Sequence, residues 1–144
     1  MNAVSASPDS VLPSSTKETI LVVDDHPPLC NVAEMLLKRC GYRVLTALDA
    51  RQAKEAVQHH PEIDLLLTDV EMPDLPGDEL AEWFLAGRPD AAVVFMSGHP
   101  MQEHRLAGHP FIEKPFVHLD TLVSTVREAL HHAHSAHLGA PVAA

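Results

Sequence analysis

The stretch 64-DLLLTDVEMPDLPGDEL-80 changes character in its middle. It begins with a continuous apolar run at 65–67 and passes through Asp69 and Glu71 into a turn rich in proline. Continuous rather than alternating apolarity is typical of a strand that is buried on both faces. A carboxylate at the end of such a strand is costly to bury unless another group pairs with it. Asp69 is therefore either an ordinary turn residue, since aspartate is common in turns, or a residue placed there for chemistry.

Similar runs recur along the chain, and segments with helical periodicity separate them. The helical pattern is weak only between Gly98 and His109. Strands that alternate with helices predict an α/β fold, a doubly wound parallel sheet with right-handed crossovers. Here the sheet has five strands, and the fourth helix is expected to be short or irregular. The predicted strands are 19-TILVVDD-25, 43-RVLTA-47, 63-IDLLLTD-69, 91-AAVVFMS-97 and 111-FIEK-114.

The length and charge of the chain limit its class. A chain of 144 residues fits one domain, which we place at 18–134, between a disordered N-terminal tail at 1–17 and a C-terminal tail at 135–144. Its 20 acids against 10 bases argue against binding to nucleic acid or to an anionic membrane, because phosphate binding requires clustered cations. The N-terminal tail has no signal-peptide pattern, and the apolar runs are far too short to span a bilayer.

The two cysteines indicate the compartment. Cys30 and Cys40 fall in one predicted helix, which would separate them by roughly 15 Å. That distance is too long for a disulfide. We therefore expect both thiols to be reduced and the protein to be cytoplasmic.

Polar residues follow the predicted strands at one edge of the sheet. Asp24 and Asp25 end the first strand, Asp69 the third, Ser97 the fourth and Lys114 the fifth. The carboxyl ends of parallel strands form the ligand-binding edge of such sheets. Three carboxylates at one edge repel each other, and an all-oxygen site of this kind suits Mg²⁺. An aspartate beside Mg²⁺ and a lysine can act as a nucleophile toward phosphorus.

In these features the sequence resembles a two-component response-regulator receiver domain. The resemblance covers residues 18 to about 133 and implies a flavodoxin-like (βα)5 fold. The matching pieces, in the family's order, are LVVDD (21–25), LLLTDVEMPDLPG (65–77), VVFMSG (93–98) and FIEKPF (111–116).

The resemblance also implies a magnesium site. Asp25, Asp69 and the backbone carbonyl of Glu71 would bind Mg²⁺, with Asp24 assisting, often through water. In this reading the acidic edge is a metal site that serves phosphorylation.

The remaining roles that the resemblance implies concern the phosphoryl group. Asp69 would accept it from a phosphohistidine, and Ser97 and Lys114 would contact it. Phe111 occupies the position of an aromatic rotamer switch, although it lacks the hydroxyl of a tyrosine. The segment between Ser97 and Lys114 is shorter than the family pattern, and it falls in the region that usually forms the family's signalling face.

The expected partners follow from the same resemblance. They are a sensor histidine kinase or a histidine-phosphotransfer domain of a phosphorelay, and a downstream protein whose binding phosphorylation switches. Many receivers dimerise, so a second copy of this chain is also among the expected partners. Such a module catalyses its own phosphorylation and dephosphorylation and is not a turnover enzyme.

Two other functions remain as alternatives. One is a Mg²⁺-dependent phosphatase of the haloacid dehalogenase type, which also uses an aspartyl phosphate; here Glu71 stands where such enzymes carry a second aspartate, and the chain has no room for a cap domain. The other is a degenerate receiver that binds proteins without being phosphorylated. The intact set of acidic residues argues against it.

Overall fold

The computed structural model describes residues 18–98, 109–114 and 119–143. The predicted N-terminal tail and the expected fourth helix lie outside these ranges. The described strands are β1 (Thr19–Val23), β2 (Arg43–Ala47), β3 (Ile63–Asp69), β4 (Ala92–Ser97) and β5 (Phe111–Glu113). The described helices are α1 (Pro27–Arg39), α2 (Ala50–His59), α3 (Gly77–Gly87) and α4 (Leu119–Ala143).

The five strands form one sheet in the order β2-β1-β3-β4-β5, and every neighbouring pair is parallel. This is the predicted doubly wound arrangement. The order changes direction between β1 and β3, and open sheets of this kind bind ligands beyond the strand ends at that switch point. The fold therefore directs attention to the loops after β1 and β3.

The sheet is buried on both faces, which explains the continuous apolar runs. Along β1, Ile20 and Val22 belong to the cluster that packs against α1 and α4, whereas Leu21 and Val23 belong to the cluster that packs against α2 and α3. All four side chains are fully buried. With both faces covered, a strand gains from an apolar residue at every position.

Local contacts mark where two of the helices begin and end. The Asp49 carboxylate caps α2 by accepting a hydrogen bond from the Gln52 N–H at 2.8 Å. Gly41 ends α1 with φ of +96°, a left-handed conformation that favours glycine. Its N–H donates to the carbonyl of Lys38 at 3.0 Å, which satisfies one of the last acceptors of the helix.

The C-terminal helix is longer than predicted. The sequence predicts a C-terminal tail at 135–144. In the structure, α4 continues through Gly139 and Pro141, both poor helix formers, to Ala143. Helix elongation is cooperative once the first turns exist, so an established helix can extend through isolated poor formers. The boundary of the domain itself stays a prediction.

Two further expectations concern the cysteine thiols and membrane-spanning segments. Cys30 is buried and Cys40 is exposed, and both are free thiols. Within the described ranges, no helix combines the length and the apolarity needed to cross a bilayer.

Candidate functional site

The structure brings most of the predicted residues together where the strands end. Asp24 follows β1, Asp69 is the last residue of β3, and Lys114 follows β5. Lys114 Nζ donates to Asp24 Oδ2 at 2.8 Å and lies 3.3 Å from Asp69 Oδ2. Three strand ends that are far apart in the sequence thus form one ion-paired group, as the edge rule predicts.

The ammonium group of Lys114 is held between two buried carboxylates. The Asp24 side chain is fully buried and that of Lys114 is 11% exposed. Burial acts to lower the pKa of Lys114, but the hydrogen bond and charge of Asp24, and then those of Asp69, outweigh it and raise the pKa. The lysine is therefore a fixed cation at neutral pH.

Burial destabilises the ionised form of Asp69. Burial raises its pKa above the ordinary range; the Glu71 N–H and Lys114 act in the opposite direction, and the charge of Asp24 adds to the increase. The Glu71 N–H donates to Asp69 Oδ1 at 3.2 Å. The partners described for Asp69 thus do not fully offset the cost of burying its charge, so a further cation beside it would be stabilised.

Asp25 and His26 complete the acidic edge. The Asp25 side chain is 38% exposed, and His26 Nδ1 lies 3.3 Å from both Asp24 Oδ1 and Asp25 Oδ1. These three residues each offer a ligand atom, and all three atoms lie within 4.8 Å of one another. His26 was not among the predicted site residues, although it directly follows the paired aspartates in the sequence.

The loop after β3 is held to the sheet by backbone contacts. The Val70 N–H donates to the Met96 carbonyl at 3.0 Å, and the Gly77 N–H donates to the Val70 carbonyl at 2.7 Å. A Cβ at Gly77 would overlap the Asp69 carbonyl oxygen and lie 3.0 Å from Val70 Cα. Only glycine allows α3 to begin this close to the end of β3. In the sequence, Gly77 shows only as the end of the proline-rich turn that follows Asp69 and Glu71.

Asp74 ties the same loop to α2. Its carboxylate oxygens accept hydrogen bonds from the Ala50 and Arg51 N–H groups, each at 3.1 Å. Burial acts to raise the pKa of Asp74, but these bonds dominate and lower it. The first N–H groups of a helix have no partner within the helix, so Asp74 supplies from 24 residues away what Asp49 supplies locally.

The remaining predicted residues lie around the ion-paired group of Asp24, Asp69 and Lys114. Ser97 is buried, and its carbonyl accepts a hydrogen bond from the Lys114 N–H at 2.8 Å. Phe111 is half-buried and packs against the cluster beneath α2 and α3, so its role as a switch stays a prediction. Asp25, Asp69, Glu71 and Lys114, with His26, line an open cleft of about 520 Å³.

A comparison with known families decides the assignment. The model of the response regulator receiver domain matches residues 20–127. The chain belongs to the response regulator receiver domain family. The family was predicted from the sequence pieces around Asp25, Asp69 and Lys114, and that prediction is confirmed.

The chain is similar to regulatory proteins of greater length. The chain is 31% identical over 110 residues to the response regulator GtcR of Aneurinibacillus migulanus, which covers 73% of this chain and 45% of GtcR. It is 32% identical over 123 residues to the C4-dicarboxylate transport transcriptional regulatory protein DctD of Pseudomonas aeruginosa, covering 82% of this chain and 26% of DctD. This receiver therefore spans less than half the length of these relatives.

Solved receiver structures share the fold over nearly their full length. A CheY-like receiver domain protein from Methanospirillum hungatei matches with a TM-score of 0.74 and 27% identity, covering 83% of this chain and 98% of that one. The receiver domain of the hybrid histidine kinase CckA matches with a TM-score of 0.67 and 34% identity, covering 78% and 98%. The five-stranded parallel fold is thus the receiver fold.

Proposed function

We propose that this receiver takes a phosphoryl group onto Asp69 from the phosphohistidine of a sensor histidine kinase or of a histidine-phosphotransfer domain. Membership of the family supports a role in two-component signalling. The observation that carries the proposal is the placement of Asp69: a largely buried carboxylate beside the Lys114 ammonium, at the base of an open cleft. A phosphoryl group entering the cleft meets a nucleophile and a cation together.

The donor set of the pocket fits Mg²⁺. Asp24, Asp25 and Asp69 bring three carboxylates to one edge, against the single ammonium of Lys114. Burial leaves Asp69 with a raised pKa, so the pocket favours an added cation, and oxygen ligands are those that Mg²⁺ prefers. We propose that the three carboxylates and the backbone carbonyl of Glu71 hold it. When bound, Mg²⁺ would neutralise charge on the phosphoryl oxygens.

The chain's own groups perform the transfer. A carboxylate oxygen of Asp69 attacks phosphorus, forming a P–O bond as the P–N bond to the donor imidazole breaks, and that imidazole leaves with its electron pair and takes up a proton. Lys114 contacts a phosphoryl oxygen, and Ser97 donates to another. Because Asp24 and Asp69 already hold the ammonium in place, little reorganisation accompanies the reaction.

The consequence we propose is a change in protein binding rather than turnover of an external substrate. The net charge of −10 supports a protein partner over nucleic acid. Phe111 would report phosphorylation to the partner surface, and a homodimer would be one such partner. The free thiols support a cytoplasmic location.

Mass spectrometry tests the acceptor. With acetyl phosphate and Mg²⁺, we expect one phosphoryl group per chain, mapped to Asp69 and absent from Asp69→Asn. Asp64→Asn is the matched control, because Asp64 lies on the same strand, away from the cleft, and accepts a bond from the Thr19 N–H. An adduct that persists in Asp69→Asn, or none in the unsubstituted chain with either this donor or a phosphorylated kinase, contradicts the proposal. Rapid turnover of many phosphate esters would favour the phosphatase.

A further inference from the structure

His26 directs its imidazole at the acidic pocket. It occupies the N-cap position of α1, yet its side chain makes no capping hydrogen bond. Pro27 follows it, and a residue before proline is restricted to extended backbone; His26 has φ of −107° and ψ of 103°. Its N–H donates to Asp24 Oδ1 at 2.9 Å, which turns the chain back toward the carboxylates and brings Nδ1 against Asp24 and Asp25.

We propose that His26 is a nitrogen ligand in this pocket, so that the receiver binds divalent transition metals more tightly than its oxygen ligands alone would allow. The inference rests on the proposed function, in which the pocket holds a divalent cation. It adds to that function a metal class, such as Co²⁺, Ni²⁺ or Zn²⁺, and a residue that selects for it.

The separations in the pocket suit a shared cation. Ligand atoms next to each other around a metal with bonds of 2.0–2.2 Å lie about 3.0–3.4 Å apart. Nδ1 of His26 lies 3.3 Å from an oxygen of Asp24 and from one of Asp25. Lys114 occupies the other oxygen of Asp24, so the oxygen that also accepts the His26 N–H is the one available to share with a cation.

The chemistry of the donors sets the preference. Imidazole favours Zn²⁺, Ni²⁺ and their neighbours, whereas Mg²⁺ takes oxygen ligands and keeps several waters. The His26 side chain is 68% exposed, so its ring has room to adjust to a metal, and coordination positions stay open to water or to a phosphoryl oxygen. Removing the imidazole should therefore weaken transition-metal binding selectively.

Co²⁺ binding to the full chain tests this, by calorimetry and by the visible absorption of the bound ion, which responds to a nitrogen ligand. For His26→Gln we expect affinity for Co²⁺ to fall roughly tenfold or more, the lower end of what even indirect metal partners contribute, while affinity for Mg²⁺ changes less than about twofold. The matched control is His60→Gln, since His60 Nδ1 also lies 3.3 Å from a carboxylate, that of Glu62, outside the pocket. All histidines other than His26 and His60 are present in both variants.

Two results overturn the inference alone, and a third overturns it together with the proposed function. Equal Co²⁺ affinity in His26→Gln and the unsubstituted chain removes the ligand role. Equal weakening of Co²⁺ and Mg²⁺ assigns His26 a structural role instead. Phosphorylation of the unsubstituted chain, measured in Mg²⁺, separates these two results from a failure of the proposed function. If phosphorylation proceeds, only the inference fails. If the unsubstituted chain binds neither metal and is not phosphorylated, the inference and the proposed function both fail.

Discussion

Replacing Gly77 with alanine adds a methyl group where the start of α3 meets the end of β3. The new Cβ would overlap the Asp69 carbonyl oxygen, and it would lie 2.9 Å from the Asp69 carbonyl carbon and 3.0 Å from Val70 Cα. All three neighbours are backbone atoms, so no side chain can rotate away, and relief requires α3 and β3 to separate. Overpacking of this kind costs about 1–3 kcal/mol. The bond from the Gly77 N–H to the Val70 carbonyl, now 2.7 Å, would weaken as well and cost about 1 kcal/mol.

We therefore expect Gly77→Ala to lower the free energy of unfolding by about 2–4 kcal/mol. For a domain of this size, that corresponds to a melting temperature lower by about 6–12 °C. Urea denaturation and calorimetry measure both quantities. Because the displaced carbonyl belongs to Asp69, the variant should also be phosphorylated more slowly than the unsubstituted chain at a temperature where both are folded.

Gly87→Ala is the matched control for this substitution. Gly87 ends the same helix, and a Cβ there would meet nothing within 4 Å. Alanine is a better helix former than glycine by about 0.5–1 kcal/mol, so this variant should be as stable as the unsubstituted chain or slightly more so. The reasoning is refuted if Gly77→Ala unfolds within about 0.5 kcal/mol of the unsubstituted chain.

Three further predictions follow from other contacts. Because burial raises the pKa of Asp69, its ionised form opposes folding, so Asp69→Asn should be more stable than the unsubstituted chain at pH 7 without metal. Urea denaturation should show this gain in stability disappear as the pH falls below the pKa of the unfolded carboxyl, about 3.8. A gain that does not depend on pH would contradict the prediction. Asp74→Ala should lower stability by about 1 kcal/mol through lost capping of α2, measured the same way against Glu82→Ala, which removes an exposed carboxylate within α3. Alkylation of the folded chain should label Cys40 alone, since burial raises the pKa of Cys30 to about 11; fast labelling of Cys30 would show that α1 opens.

The sheet was predictable because its strands are buried on both faces. The bounds of β2 and β3 agree with the predicted residues at both ends, since each is limited by turn residues. The site followed from one rule, that parallel strands deliver their carboxyl ends to one edge. Asp24, Asp69 and Lys114 needed only to be placed at strand ends for their contact to be expected.

The residues that escaped prediction act through contacts that no local pattern encodes. Asp74 caps a helix that begins 24 residues earlier, and neither segment alone indicates the pairing. Gly77 resembles any turn glycine until the distance between α3 and β3 is known. His26 directly follows the paired aspartates, but only the positions of both carboxylates show where its ring lies. α4 extends beyond its predicted end because helix elongation depends on the turns already formed rather than only on the helix propensity of each added residue.

The charges of the pocket suggest why metal binding and phosphorylation should be coupled. Asp24, Asp25 and Asp69 carry three negative charges and Lys114 one positive charge, so these four groups have a net charge of −2, and a divalent cation brings their sum to zero. An aspartyl phosphate carries nearly two negative charges where the carboxylate carried one, which leaves an excess of about −1 even with the cation bound. The phosphorylated pocket should therefore hold a divalent cation more tightly than the free one. By linkage, the cation must favour phosphorylation by the same factor.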